Sequence, residues 1–292
     1  MEYTIANGQT SVTLTTLGGT FSSIRDASGT ERLWQPDPEV WTGQAPICFP
    51  ICGGLRDGRA TTLSGAKVGL PRHGFARKHE FALAGKGEDH VELALESDEG
   101  TLAQYPFPFR LVAGYALDGS RILVSYSVTN TGDEPMPFFV GGHPAFRVPL
   151  REGERYSDYS IEFERPETCD VPTPVVETGL IDESRRMAGP QDGSSLPLSH
   201  ELFSVAETIY DGLESRSAEL RDGTGEATLR ISFPDLPYLV VWGKPKGDFV
   251  AIEPWGGLST CSDEDDVLEH KRGCLVARPG ETVTRGFAIE LL

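Results

Sequence analysis

The chain has 292 residues, with 26 Lys and Arg set against 44 Asp and Glu for a formal charge of -18. Such an acidic balance repels phosphate backbones and anionic headgroups, so neither nucleic acid nor a membrane surface is an expected partner, and a neutral small molecule suits the chain better. No apolar run approaches the roughly 20 residues that span a bilayer, and the N-terminus enters an extended segment at Glu2 without a basic leader, so a soluble, unexported protein is expected.

From there the chain reads as strand after strand. Phe109, Leu111, Ala113, Tyr115 and Leu117 alternate with more polar neighbours, and Asp118-Gly119 predicts a tight hairpin into a second alternating run, Ile122, Val124, Tyr126 and Val128. Phe138-Phe139-Val140 forms a short apolar strand. Between Arg151 and Ser199 the chain becomes rich in Pro, Asp, Glu and Ser, the composition of a long surface excursion. Alternation returns at Leu229, Ile231 and Phe233, an apolar run ends at Glu253, and the last strand carries Val283, Phe287, Ile289 and Leu291 on one face. No window holds a sustained helical period, and the best helical candidate is a short turn over Ser262 to Glu269, where Ser262 could cap and Asp265 could complete a capping box. With 33 Gly and 21 Pro punctuating it throughout and no repeat or linker, the chain is expected to be one all-β domain over residues 1–292, a large antiparallel β-sandwich. The five cysteines, Cys48, Cys52, Cys169, Cys261 and Cys274, are odd in number and lack paired metal spacing. They read as reduced thiols, which favours the cytoplasm.

Three segments combine Gly or Pro punctuation with ionisable side chains. The first runs from Phe49-Pro50-Ile51 through Arg56 to Leu70-Pro71-Arg72-His73-Gly74-Phe75-Ala76-Arg77, the second is Gly141-Gly142-His143-Pro144-Ala145-Phe146, and the third is Ile252-Glu253-Pro254-Trp255-Gly256-Gly257. A Glu that closes an apolar strand beside a Trp is partly desolvated, which raises a carboxyl pKa towards values useful for proton transfer. A His held between Gly and Pro can donate or accept near neutrality. Taken singly, such residues are as often structural as chemical.

In this order and wording the segments resemble the aldose 1-epimerase superfamily, in particular its galactose-mutarotase-like, LacX-like bacterial branch, over nearly the whole chain. The resemblance implies a galactose mutarotase-like supersandwich with an open groove, Glu253 as general base, His143 as general acid, and Arg56 and His73 as ligands of sugar oxygens. It also implies an acidic contact to sugar hydroxyls between Ser204 and Leu213, for which Glu207 and Asp211 both stand as candidates. The implied reaction is mutarotation of a hexose: a proton leaves the anomeric hydroxyl as another reaches the ring oxygen, the ring opens, C1–C2 rotates, and reclosure gives the other anomer. Neither a cofactor nor a metal is expected, since no dinucleotide, P-loop, zinc-protease or nucleophile-elbow motif occurs. Trp255 and Phe75 are candidates to stack on a pyranose, and Trp34 or Trp41 to line the groove from its N-terminal side. The alternatives are a hexose-6-phosphate 1-epimerase, for which Arg72, Arg77 and Lys78 could hold the phosphate, a non-catalytic carbohydrate-binding protein, and a glycoside hydrolase, which needs a second secure carboxylate. The expected assembly is a monomer or homodimer.

Overall fold

The computed structural model describes all of residues 1–292. Two antiparallel sheets dominate it. The larger has nine strands, in the spatial order Ser195–Pro197, Ser160–Phe163, Ser217–Arg221, Ala227–Ser232, Thr282–Leu291, Arg121–Asn130, Phe109–Asp118, His90–Glu96 and Ala82–Lys86. At its centre the alternating runs foreseen in the sequence pair residue for residue, Ile122 with Leu117 and with Ile289, so their apolar side chains fall on one face. Asp118 pairs with Arg121 across a loop of Gly119 and Ser120, in which Gly119 takes φ +61, a left-handed first position that selects glycine.

The second sheet carries the chemistry. Phe249–Trp255, buried at every position, lies at its middle; Tyr238–Trp242 and then Thr208–Tyr210 flank one edge, and Gly141–Gly142, Ala145–Arg147 and Ile47–Cys48 lie on the other side. A single core of 70 buried side chains draws on both sheets, including Leu111, Val124 and Ile289 from the first and Ile209, Val240 and Ile252 from the second. Each aromatic ring enclosed there contributes about 2–3 kcal/mol in transfer terms. The only α-helix is the four-residue turn Glu99–Leu102, capped by the Asp98 carboxylate on Thr101 N.

Two expectations need correction. The segment after Arg151, expected as a surface excursion, is built largely of strands: it supplies the last two strands at one end of the large sheet, Ser195–Pro197 at the edge and Ser160–Phe163 next to it, and a separate ladder of Asp170–Val175 with Leu180–Ala188. Its prolines are tolerated because Pro172 sits at a register shift and Pro197 on an edge strand, where a missing N–H costs little. The capping box at Ser262 does not form; Ser262 Oγ instead accepts from Glu183 N at 3.1 Å, and a 3-10 turn appears only at Leu268–His270. No helix is long and apolar enough to cross a membrane.

Candidate active site

The short strands Gly141–Gly142 and Ala145–Arg147 both pair with Phe249–Trp255, and the register is the same on either side of the break between them. Gly141 faces Trp255 and Ala145 faces Ala251, which makes His143 the cross-strand neighbour of Glu253. His143 Nε2 and Glu253 Oε2 accordingly lie 3.2 Å apart. Val240 pairs with Glu253 and Trp242 with Ala251, so Trp242 joins the same face.

A carboxyl buried to 1 % exposure in an otherwise apolar strand is costly unless it is neutral or paired. Burial pushes the Glu253 carboxyl well above the usual carboxylate range, and the negative charge of Glu207 adds to this while Arg72 opposes it. Burial likewise lowers His143 to about 3, with Arg72 and Arg77 contributing. Glu253 Oε2, His143 Nδ1 and Trp255 Nε1 have no aligned hydrogen-bond partner within the protein. All three belong to residues that line one cavity, where internal bonding leaves them unsatisfied.

His73 closes the third side. Its backbone is left-handed at φ +62, an uncommon state for a residue with a side chain, and it is held by bonds from His73 N to Gly53 O (2.7 Å) and from Phe49 N to His73 O (3.2 Å). The following Gly74 packs against the Phe49 carbonyl, where a Cβ would fall 2.1 Å from the oxygen. The His73 ring stands edge-on to His143, with centroids 5.5 Å apart, and to Trp255 at 5.2 Å. Burial, and then the neighbouring charge positions of His143, Arg72 and Arg77, hold its pKa well below the ordinary histidine value.

Arg72 spans the opening. Its guanidinium donates to Glu207 Oε1 at 2.6 Å and to Gly179 O at 3.2 Å, and Nε lies 3.3 Å from His73 Nε2. Trp41 stacks on His143 at 5.4 Å, and Trp242 meets both rings edge-on. The enclosed volume is ≈ 480 Å³, within the ~300–1,000 Å³ typical of small-molecule sites, with Arg77, Lys244 and the apolar Val175, Val176 and Val205 in its walls.

The structure thus brings His73, His143, Glu253 and Glu207 to one cavity, and leaves two sequence candidates outside it. Arg56 points to the other side of its 3-10 turn, where it pairs with Asp266 at 3.2 Å and donates to the carbonyls of Cys261 and Glu264. The arginine expected in the cavity is therefore not Arg56, and it is Arg72 that lines it. Asp211 is held by Arg186 through two bonds of 2.7 and 2.9 Å and does not line the cavity, so of the two acidic candidates only Glu207 reaches it. Trp41 and Trp255 line the cavity, whereas Phe75 is core and Trp34 packs on Phe249 behind it; Lys78 also lies outside. Trp242 was missed from sequence, because its strand, Tyr-Leu-Val-Val-Trp, is buried on both faces and shows no alternation.

The family model for aldose 1-epimerase matches residues 1–282. Protein LacX of Lactococcus lactis is 41% identical over 100% of both chains. Among solved structures, a galactose mutarotase related enzyme from Lactobacillus acidophilus superposes with a TM-score of 0.92 at 32% identity, covering 100% of this chain and 97% of that one. A galactose mutarotase-like protein from Lactobacillus casei gives 0.91 at 26% identity, with 100% of both chains covered. The sheet that sets Glu253 beside His143 is therefore that of a mutarotase-like fold, and the chain belongs to the aldose 1-epimerase family.

Proposed function

We propose that this protein is an aldose 1-epimerase that interconverts the α and β anomers of a hexose, with Glu253 and His143 as the proton-transfer pair. The observation that carries the reading is their 3.2 Å separation. The anomeric hydroxyl and the ring oxygen are bonded to the same carbon, so base and acid must sit side by side, as these cross-strand neighbours do.

The electrostatics follow the proton. Ring opening begins with Glu253 ionised and His143 protonated and ends, with the sugar open, with both neutral. Burial favours the neutral pair, as the raised carboxyl and lowered imidazole show, so the site lowers the energy of the open-chain complex relative to the charged starting pair. Reclosure on the other carbonyl face returns each proton along the same route. Each well-placed group supplies a factor on the order of 10²–10⁴. Arg72, His73 and Glu207 bind hydroxyls around the pair, and Trp41 and Trp242 present apolar faces to the ring.

A hexose carrying a phosphate is a second reading, favoured by the presence of Arg72, Arg77 and Lys244 in the same walls. NMR saturation transfer between anomers, or polarimetry, over a panel of free and phosphorylated aldoses separates the two. No acceleration of any aldose over the buffer rate would refute both.

A further inference from the structure

His73 can meet the sugar in either of two neutral forms, one offering Nε2–H as a donor and the other offering Nε2 as an acceptor. The groups behind the ring decide between them. Gly53 N lies 3.2 Å from His73 Nδ1, and a backbone N–H can only donate. Gly53 O in turn accepts from His73 N at 2.7 Å, so one residue grips both the backbone and the ring of His73. Gly53 cannot retreat: it sits at φ +70, and a Cβ there would fall 2.2 Å from Ser259 Oγ and 2.6 Å from Ser259 N. Cys48 Sγ approaches the same nitrogen at 3.4 Å. Cys48 is fully buried, which pushes its thiol up and keeps the proton available for donation.

On the cavity side the contrary vote comes from Arg72, whose Nε stands 3.3 Å from His73 Nε2 and can also only donate. Both ring nitrogens cannot accept at once in a neutral imidazole carrying one proton. Gly53 N–H is fixed and buried, whereas Arg72 is a long side chain, 38 % exposed, with Glu207 and Gly179 as further partners. The fixed donor, reinforced by the Cys48 thiol on the same nitrogen, prevails.

We propose that Gly53 and Cys48 are positioning residues that hold His73 as the Nε2–H tautomer, so that His73 and Arg72 face each other as two donors and together select an acceptor oxygen of the substrate. The ligand side of this statement rests on the sugar reading above; the tautomer itself does not. A substrate oxygen entering between or beside them accepts from both and relieves the donor-to-donor contact.

The test is 15N NMR of uniformly 15N-labelled, sugar-free protein. His73 Nε2 is expected to resonate as a protonated and Nδ1 as an unprotonated ring nitrogen from pH 5 to 9, with a through-bond 15N–15N coupling between the Gly53 amide and His73 Nδ1. A protonated Nδ1, an imidazolium at neutrality, or absence of the coupling overturns the proposal, whether or not the protein proves to be an epimerase. Cys48→Ala is expected to admit the other tautomer and raise KM for the sugar about five-fold with kcat little changed, the factor of one weak hydrogen bond. Cys48→Ser, which keeps a donor, is expected to retain the wild-type tautomer and KM. If Cys48→Ala keeps both, Cys48 has no part in the positioning, and if both variants lose them equally, a proton donated by Cys48 is not what positions His73; either result overturns its assignment.

Discussion

Exchanging Glu253 for Gln preserves the outline of the side chain and one acceptor oxygen, but leaves nothing to take the anomeric proton. The site holds no ready substitute. Glu207, the other carboxylate of the cavity, is bound at 2.6 Å to Arg72, and Glu253 itself is 1 % exposed, away from bulk water. Removing a well-placed base costs about 10²–10⁴ in rate, or roughly 2.7–5.5 kcal/mol of activation free energy. Sugar affinity should change by no more than about three-fold, since one neutral hydrogen bond replaces another. Stability moves the opposite way. The folded protein holds the Glu253 proton above the unfolded value of 4.5, so this carboxyl favours folding least at high pH, its contribution lost as pH rises through the elevated folded value. Gln has no such slope, and the variant should gain stability relative to wild type between pH 5 and pH 8. Saturation transfer measures exchange, calorimetry measures sugar binding, and thermal melts at the two pH values measure stability. Wild-type exchange in Glu253→Gln would show that the base lies elsewhere; loss of all sugar binding would make Glu253 chiefly a binding group.

Because burial lowers His143 to about 3 and raises Glu253, the pair should keep one transferable proton throughout neutrality, so kcat/KM should be flat across pH 6.5, with the acid limb due to His143 and the alkaline limb to Glu253. An inflection at the ordinary histidine value contradicts this. Arg56→Ala should leave KM unchanged while lowering stability by about 1 kcal/mol, a melting shift of a few degrees, chiefly through the two lost carbonyl bonds because the partly exposed pair with Asp266 is screened. A raised KM with unaltered melting would put Arg56 back on the sugar. Arg72→Ala should raise KM about ten-fold with a smaller effect on kcat, read from the same exchange assay, and an unchanged KM would remove Arg72 from sugar binding.

His73, His143 and Glu253 were legible through the wording of the segments that carry them, whereas the direction of Arg56, the choice between Glu207 and Asp211, and Trp242 were not. Glu253 and His143 were named through the resemblance of their Gly- and Pro-punctuated segments, since a strand buried at every position shows no alternation and His143 falls in the break between two short strands; the cross-strand register that sets them side by side came from the structure. The alternating runs around Leu111, Val124 and Ile289 were open to direct reading, because alternation fixes which residues share a face. Arg56 failed because it lies in a 3-10 turn with Asp57 at φ 53, where spacing along the chain says nothing of direction, and the turn aims it at the 261–266 loop. Choosing between Glu207 and Asp211 required knowing that Arg186, far off in sequence, claims the latter. Trp242 stayed hidden because a doubly buried strand loses the alternation that marks a face.

Arg72 is anchored by Gly179 O and by Glu207, from two segments that cover the cavity, while Glu253 and the short strands flanking His143 belong to the sheet. The two contributions are thus separable. Variation confined to residues 174–179 and 203–207 reshapes what the cavity will admit without touching a ladder bond that sets Glu253 beside His143. In this architecture the juxtaposition of Glu253 and His143 is written into the sheet and the shape of the opening into the segments that cover it, so the two can vary independently.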